Sequence, residues 1–131
     1  MQNNVGIFNG NPTAGGTDGA EVSQNGVLSN PISASIRTGT QKIKCAVRCE
    51  TGMHADGALQ IKVVTRTGGG YQDGHEGIKV CTTQNGTYAD SISLSNVDDT
   101  NTLFWVRLAA GQQAGTDATG ALRLQGVIVG G

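Results

Sequence analysis

The sequence between residues 41 and 50 alternates strictly between two kinds of side chain. The odd positions are apolar or cysteine, and the even positions are mainly charged. They are Ile43, Cys45, Val47 and Cys49 on one side, and Lys42, Lys44, Ala46, Arg48 and Glu50 on the other. A period of two places successive side chains on opposite faces of an extended chain. The pattern therefore predicts an antiparallel strand with one face buried and one face in water.

Shorter segments of the same kind recur along the chain, and no segment longer than a turn or two shows helical periodicity. Six further strands are predicted, at Ile32 to Ile36, Leu59 to Arg66, Ile78 to Val80, Ile92 to Leu94, Leu103 to Leu108, and about Ala118 to Val129. Glycine is frequent, with 21 residues, and pairs such as Asn85-Gly86 indicate tight turns between strands. The spacing predicts an all-β fold, an antiparallel β-sandwich of about seven strands with immunoglobulin-like topology.

The last predicted strand is interrupted by Gly126. An extra residue at this point shifts the phase of the alternation. We therefore expect a bulge that keeps Leu122 and Leu124 on the same face as Val127 and Val129.

Residues 1–30 differ from the rest of the chain, because they contain no lysine or arginine and are rich in Asn, Gly, Thr and Ser. Their short apolar islands contain Ile7, Phe8, Val27 and Leu28. Such a stretch cannot form a core alone. We expect an extended N-terminal arm over residues 1–30 that docks on a partner, followed by a β-sandwich domain over residues 31–131. A chain of 131 residues fits one such domain without metals or disulfides.

Five residues could be imagined as zinc ligands: Cys45, Cys49, His54, His75 and Cys81. Cys45 and Cys49 lie four residues apart on a strand, so their Cα atoms are roughly 13 Å apart. One tetrahedral ion cannot bind both thiolates. We expect three buried free thiols, and neither a metal nor a cofactor.

No group of residues resembles a catalytic site. His75 and Glu76 lie in a glycine-rich loop without an activated nucleophile nearby, and an exposed loop tip is the simpler interpretation. Residues 98–101 offer oxygen atoms but lack the ligand spacing of a calcium loop, and they favour an Asx-rich turn. We expect a domain that is not an enzyme.

The charged residues point instead to binding. Lys42, Lys44 and Arg48 share the outward face of one strand, and Lys62 and Lys79 could lie beside them. Such a basic face could bind an acidic partner, or it could be an ordinary solvated surface. A net charge of −1 and the absence of interleaved aromatic and basic residues argue against nucleic acid binding.

Three features concern location. No apolar run approaches the roughly 20 residues needed to cross a bilayer, so a membrane is not an expected partner. The N-terminus has neither a basic region nor an apolar region of the secretory type, which predicts that no signal peptide is present. An odd number of cysteines, three, is typical of synthesis in a reducing cytoplasm.

Three stretches carry a resemblance to a known class of proteins. They are Ile7 to Ser23, Cys81 to Leu94, and Asp99 to Arg107. With these stretches the chain resembles the small immunoglobulin-like virion structural proteins of tailed phages and prophages of Gram-positive bacteria. The resemblance covers most of the chain.

The resemblance implies a place on the virion and a structural role. It implies a capsid decoration protein that binds and stabilises the capsid lattice, with the major capsid protein or other virion proteins as partners. It also implies a homo-oligomer, such as a trimer. A tail accessory protein remains open. So does a carbohydrate- or cell-surface-binding module, for which Tyr71, Tyr88 and Trp105 are the aromatic candidates, although we expect Trp105 to pack within a central strand.

Overall fold

A computed structural model describes residues 4–21, 31–33, 41–67, 70–74, 77–108 and 120–130. These ranges contain twelve β-strands and no helix. The strands are β1 (Val5–Asn9), β2 (Ala20–Glu21), β3 (Pro31–Ser33), β4 (Gln41–Cys49), β5 (Met53–Ala55), β6 (Leu59–Thr67), β7 (Gly70–Asp73), β8 (Ile78–Cys81), β9 (Ser91–Leu94), β10 (Thr102–Leu108), β11 (Gly120–Gln125) and β12 (Ile128–Gly130).

The strands form two larger sheets and one small one, and every pairing is antiparallel. The first sheet has the order β2-β1-β4-β10-β8. The second sheet has the order β3-β11-β6, and one edge of β6 pairs with both β7 and β9. Strands β5 and β12 form the third sheet. The predicted all-β, antiparallel fold is confirmed.

The two larger sheets share one apolar core, as in a β-sandwich. Val47 and Phe104 enter it from the first sheet, and Ile61, Val63 and Leu124 enter it from the second. The alternation predicted for β4 is present in this core. The cysteines and Val47 face inward and are buried, whereas Lys42 is exposed on the outer face. Inter-sheet packing of these apolar side chains stabilises the fold by removing them from water.

All seven predicted strands have counterparts among the twelve. Strands β1, β2, β5 and β7 were not predicted. Three of these four contain only two to four residues, which is too short to show a periodic pattern. The immunoglobulin-like topology stays a prediction.

The bulge expected at Gly126 is wrong. The chain leaves its pairing with β6 there, and β12 pairs with β5 instead. Gly126 makes this turn against the neighbouring β6, since a Cβ atom at this position would lie 2.8 Å from a side-chain carbon of Leu59. As a result Leu124 is buried, whereas Val127 is 57% exposed and does not share its face.

The structure also corrects the predicted N-terminal arm over residues 4–21. Strand β1 lies inside the first sheet, where Ile7 is paired with Val47 and Phe8 with Ala46. Ile7 is fully buried and Phe8 is 4% exposed. These side chains do dock, as expected, but they dock on the chain's own sheet. A pairing partner distant in sequence supplied the burial that residues 1–30 cannot supply alone.

Candidate functional site

The outer face of the first sheet concentrates basic side chains. Lys42 and Lys44 project from β4, Arg107 from β10 and Lys79 from β8, and we call these four residues the cationic face. The strand register aligns them, because Arg107 pairs with Lys42 on one side and with Lys79 on the other. In the next row Trp105 pairs with Lys44. Three cations therefore lie side by side across three neighbouring strands.

This arrangement is held by an aromatic ring and one acidic residue. Tyr88 places its ring 5.7 Å from the Lys42 ammonium and 5.0 Å from the Arg107 guanidinium, measured to the ring centroid. Lys42 also donates a hydrogen bond of 3.3 Å to the side chain of Asn85. Lys79 forms an ion pair with Asp90. Cations near the face of a ring are attracted to its electrons, so Tyr88 offsets part of the repulsion between Lys42 and Arg107.

The row places like charges next to each other on neighbouring strands. Like charges directly opposite each other on neighbouring strands destabilise a sheet. Lys42 and Arg107 have no carboxylate partner in the part of the chain that the structure describes. A negatively charged group bound to this row would offset the repulsion between its cations.

The sequence had predicted part of this face. Lys42 and Lys44 lie where expected, and Lys79 lies beside them as proposed. Lys62 lies on β6, in the second sheet. Arg107 was missed as a binding residue, although the inward positions of Phe104 and Val106 would have placed it on the outer face.

Arg48, also predicted to bind a partner, is used inside the molecule. Its guanidinium lies 3.7 Å from the centroid of the Phe8 ring. One of its Nη atoms donates 2.8 Å hydrogen bonds to the backbone oxygen of Asp18 and to the side-chain oxygen of Asn101. A stacked, doubly hydrogen-bonded guanidinium is committed to these contacts. Arg48 therefore holds a loop instead of facing a partner.

That loop, residues 10–19, folds over the outer face beside Phe8 and is tied down by Asn101. The Asn101 side chain donates to the backbone oxygen of Thr13 at 3.0 Å and to the Asp18 carboxylate at 2.8 Å. Its backbone pairs with Gly15 and Gly16. Asn101 is the buried polar residue among the described side chains, and its groups are satisfied by the loop.

Gly19 lets the end of this loop approach the sheet. Its φ of +105° belongs to a region that other residues rarely adopt, and an added Cβ atom would lie 2.9 Å from the backbone oxygen of Asn9. Glycine at this position therefore allows the end of the loop to pass close to β1.

Acid is expected to open loop 10–19 before the sheets unfold. A hydrogen bond from the Thr13 backbone N–H is the largest cause that holds the pKa of Asp18 below its usual value of 3.8. Because the folded pKa is the lower one, the carboxylate stabilises the loop above the unfolded value, and this contribution is lost as the pH falls through the folded value. Hydrogen exchange of the loop amides should show the opening.

Asp18→Asn is the matched variant for this experiment, since it removes the titrating group. In this variant the loop amides should have low protection factors, relative to an unfolded chain at the same pH, and these should not change as the pH falls. Unchanged protection of the wild-type loop in acid would contradict the assignment.

Two of the predicted binding residues, Val27 and Leu28, lie outside the described residues. Ile7 and Phe8 are buried in their own sheet. Lys42 and Lys44 are thus the predicted site residues that the described structure brings together, and both lie on the cationic face.

The three cysteines are free and buried, as predicted. Burial in the core raises the pKa of the Cys45 thiol to about 12 and that of Cys49 to about 11. Cys81 lies opposite Trp105, and hydrogen bonding to the backbone of Thr83 lowers the pKa of its thiol. Among the described residues, no three His, Cys, Asp or Glu side chains gather where they could hold a metal ion.

A cleft of about 220 Å³ lies at the edge of β6, where β7 ends and β9 begins. Its lining includes Lys62, Asp73, Asp90 and Ser91. It is smaller than the roughly 300–1,000 Å³ usual for a small-molecule site.

The turn predicted at residues 98–101 is present, because Asp98 accepts hydrogen bonds from the backbone and hydroxyl of Thr100.

Comparisons with known proteins add no identification. No family model, no curated protein and no solved structure matches this chain. None of the described segments forms a helix long and apolar enough to span a membrane.

Proposed function

We propose that this protein is a non-enzymatic structural protein of a phage virion, a capsid decoration protein that binds the capsid lattice and stabilises it. The major capsid protein is the partner we favour, and the chain would act as a homo-oligomer such as a trimer. The observation that carries the proposal is the cationic face. The resemblance in sequence supports a location on the virion, and the cationic face offers a surface for attachment.

The chemistry of this face suits binding to a protein surface. Lys42, Lys44 and Arg107 stand on neighbouring strands of a sheet that is buried on its other side, so their backbone positions are fixed before a partner arrives. A fixed surface loses little conformational freedom on binding. Complementary charge also speeds the encounter and selects the partner.

The test is binding to bare capsids of the phage that carries the gene. The protein should sediment with the capsids and saturate them at a fixed ratio, and added salt should weaken the binding because it screens charge. Lys42→Gln and Lys44→Gln should each weaken binding roughly fivefold, as expected for the loss of about 1 kcal/mol from an exposed ion pair.

Lys62→Gln is the matched control, because it removes the same charge from the second sheet. It should bind like the wild-type protein. Absence of sedimentation with capsids, or equal losses for Lys62 and Lys42 variants, would overturn the proposal.

A second candidate function is binding to a carbohydrate on a cell surface. Trp105 favours it, because this residue lies in the interior strand β10 but on the outer face, where it is only partly buried. Aromatic rings on a surface can pack against sugars. A glycan array with wild-type protein and Trp105→Ala separates the two functions, since only the carbohydrate function predicts retained glycans that the variant loses.

A further inference from the structure

Two loops flank the middle of the cationic face. Lys44 donates a 3.4 Å hydrogen bond to the side chain of Asn11, in loop 10–19, and Lys42 donates to Asn85, in the turn after β8. The two lysines lie two residues apart on β4, which is roughly 6.8 Å. The loops therefore reach the same part of the sheet from two sides. Trp105 lies in this part, beside Lys44.

The floor between the loops is apolar and its surroundings are positive. Leu103 and Trp105 lie on the outer face of β10, and both are only partly buried. Lys44 lies opposite Trp105 on the neighbouring strand β4, and Arg107 lies two residues further along β10. Within the described residues these two cations have no carboxylate partner. A ligand complementary to this floor supplies negative charge and an apolar group together.

The contacts of Tyr88 favour a peptide over a carbohydrate. A sugar would need ring faces on which to stack. The Tyr88 ring already attracts the cations of Lys42 and Arg107, at 5.7 and 5.0 Å from its centroid. On this floor, among the described residues, Trp105 would then remain for stacking. An acidic peptide needs no second ring, because its carboxylates bind the ammonium and guanidinium groups directly.

We infer that the floor between Asn11 and Asn85 binds an extended acidic peptide segment, with carboxylates against Lys42, Lys44 and Arg107 and an apolar side chain against Trp105. Alternate side chains of an extended peptide are spaced by roughly 6.8 Å, the same spacing as Lys42 and Lys44 along β4. The inference rests on the proposed function in taking the cationic face as the docking surface, and it adds the chemistry of what docks there.

Trp105 makes the test direct, because it is the single tryptophan of the chain. The full-length protein is titrated with a short synthetic peptide that has glutamate at alternate positions and one leucine on the same side. We expect a saturable change in tryptophan fluorescence that salt weakens. A peptide with lysine in place of each glutamate should produce no change.

Variants locate the binding. Lys42→Gln and Arg107→Gln should each weaken peptide binding roughly fivefold, and the double variant more strongly. Lys62→Gln, on the second sheet, should bind like the wild-type protein. Thermal unfolding of each variant shows that it is folded, so a loss of binding can be assigned to the missing charge.

Several results would overturn the inference. A fluorescence change with protein concentration alone that is lost in the Lys42→Gln and Arg107→Gln variants would identify a second copy of the chain as the occupant. Binding of single-stranded DNA or a sulfated polysaccharide as tightly as the peptide would show a general polyanion surface. An unchanged spectrum with the glutamate peptide would show that no such segment binds. Capsid sedimentation is measured separately, so capsids that bind while the peptide fails would overturn this inference and leave the proposed function standing.

Discussion

Phe104→Ala is expected to lower the free energy of unfolding by about 3–5 kcal/mol, the usual range for emptying a buried aromatic site. Phe104 is fully buried, and it is among the largest side chains of the core. Its strand β10 lies in the first sheet between β4 and β8, so the cavity would open where the two sheets meet. The loss should be measured by urea or guanidinium unfolding followed through Trp105.

Leu103→Ala is the control for this experiment. Leu103 is the preceding residue on the same strand, but it faces outward and is only partly buried. Its replacement should destabilise the protein by clearly less. Equal losses for the two variants would contradict the assignment of Phe104 to the core.

Asn101→Ala is expected to lower the free energy of unfolding by about 3 kcal/mol, because it removes one partner from a buried polar network. The Arg48 guanidinium would lose a 2.8 Å hydrogen bond, and Thr13 and Asp18 would lose the donor that ties their loop to the sheet. Loop 10–19 should then be cut by proteases much faster than in the wild-type protein. The cleavage rate and the unfolding midpoint together measure the effect.

Two further variants make the expectation specific. Asn101→Asp would keep an acceptor for Arg48 but would place a carboxylate against Asp18, so it should not restore the loop. Asn85→Ala removes an exposed amide that contacts Lys42, and the loop should remain protected. Wild-type resistance of loop 10–19 in the Asn101→Ala protein would contradict the network.

The strands could be predicted where the side chains alternate over several residues. Residues 41–50 show why, since one face of β4 packs on the core and the other is in contact with water. A strand that is buried on one face has apolar and polar residues in alternation. The outer face of β10 was harder to predict. Leu103 and Trp105 are apolar, like the residues that alternate with them, so the sequence does not show which face of the strand is buried. Their phase becomes clear only from Phe104 and Val106, which are buried.

The N-terminal strand could not be predicted from its own residues. Val5, Ile7 and Phe8 lie in a stretch whose composition is typical of an arm, and what makes them a strand is pairing with β4, far along the chain. The hydrogen bonds between Asn101 and loop 10–19 could not be predicted for the same reason. They join Asn101 to Thr13 and Asp18, and local sequence carries no sign of contacts at such separation.

The cationic face was predicted in part because charge on the exposed side of a strand is visible in the sequence. The row itself required the register, since only the pairing of Arg107 with Lys42 and Lys79 brings the three cations together. Tyr88 was proposed as a sugar-stacking residue. Its position between two cations depends on the path of the turn after β8, which composition does not fix.

The position of β4 between β1 and β10 has a consequence for how the chain reaches its native state. Val47 pairs with Ile7 on one side and with Thr102 on the other, so the central strand has no neighbour that is close in sequence. A growing chain cannot close the first sheet until β10 has left the ribosome. Domains dominated by such long-range pairing fold in milliseconds to seconds, because loop closure precedes the stabilising contacts. Until then the apolar side chains of β1 and β4 are accessible to solvent, and the chain is most prone to aggregate at this stage.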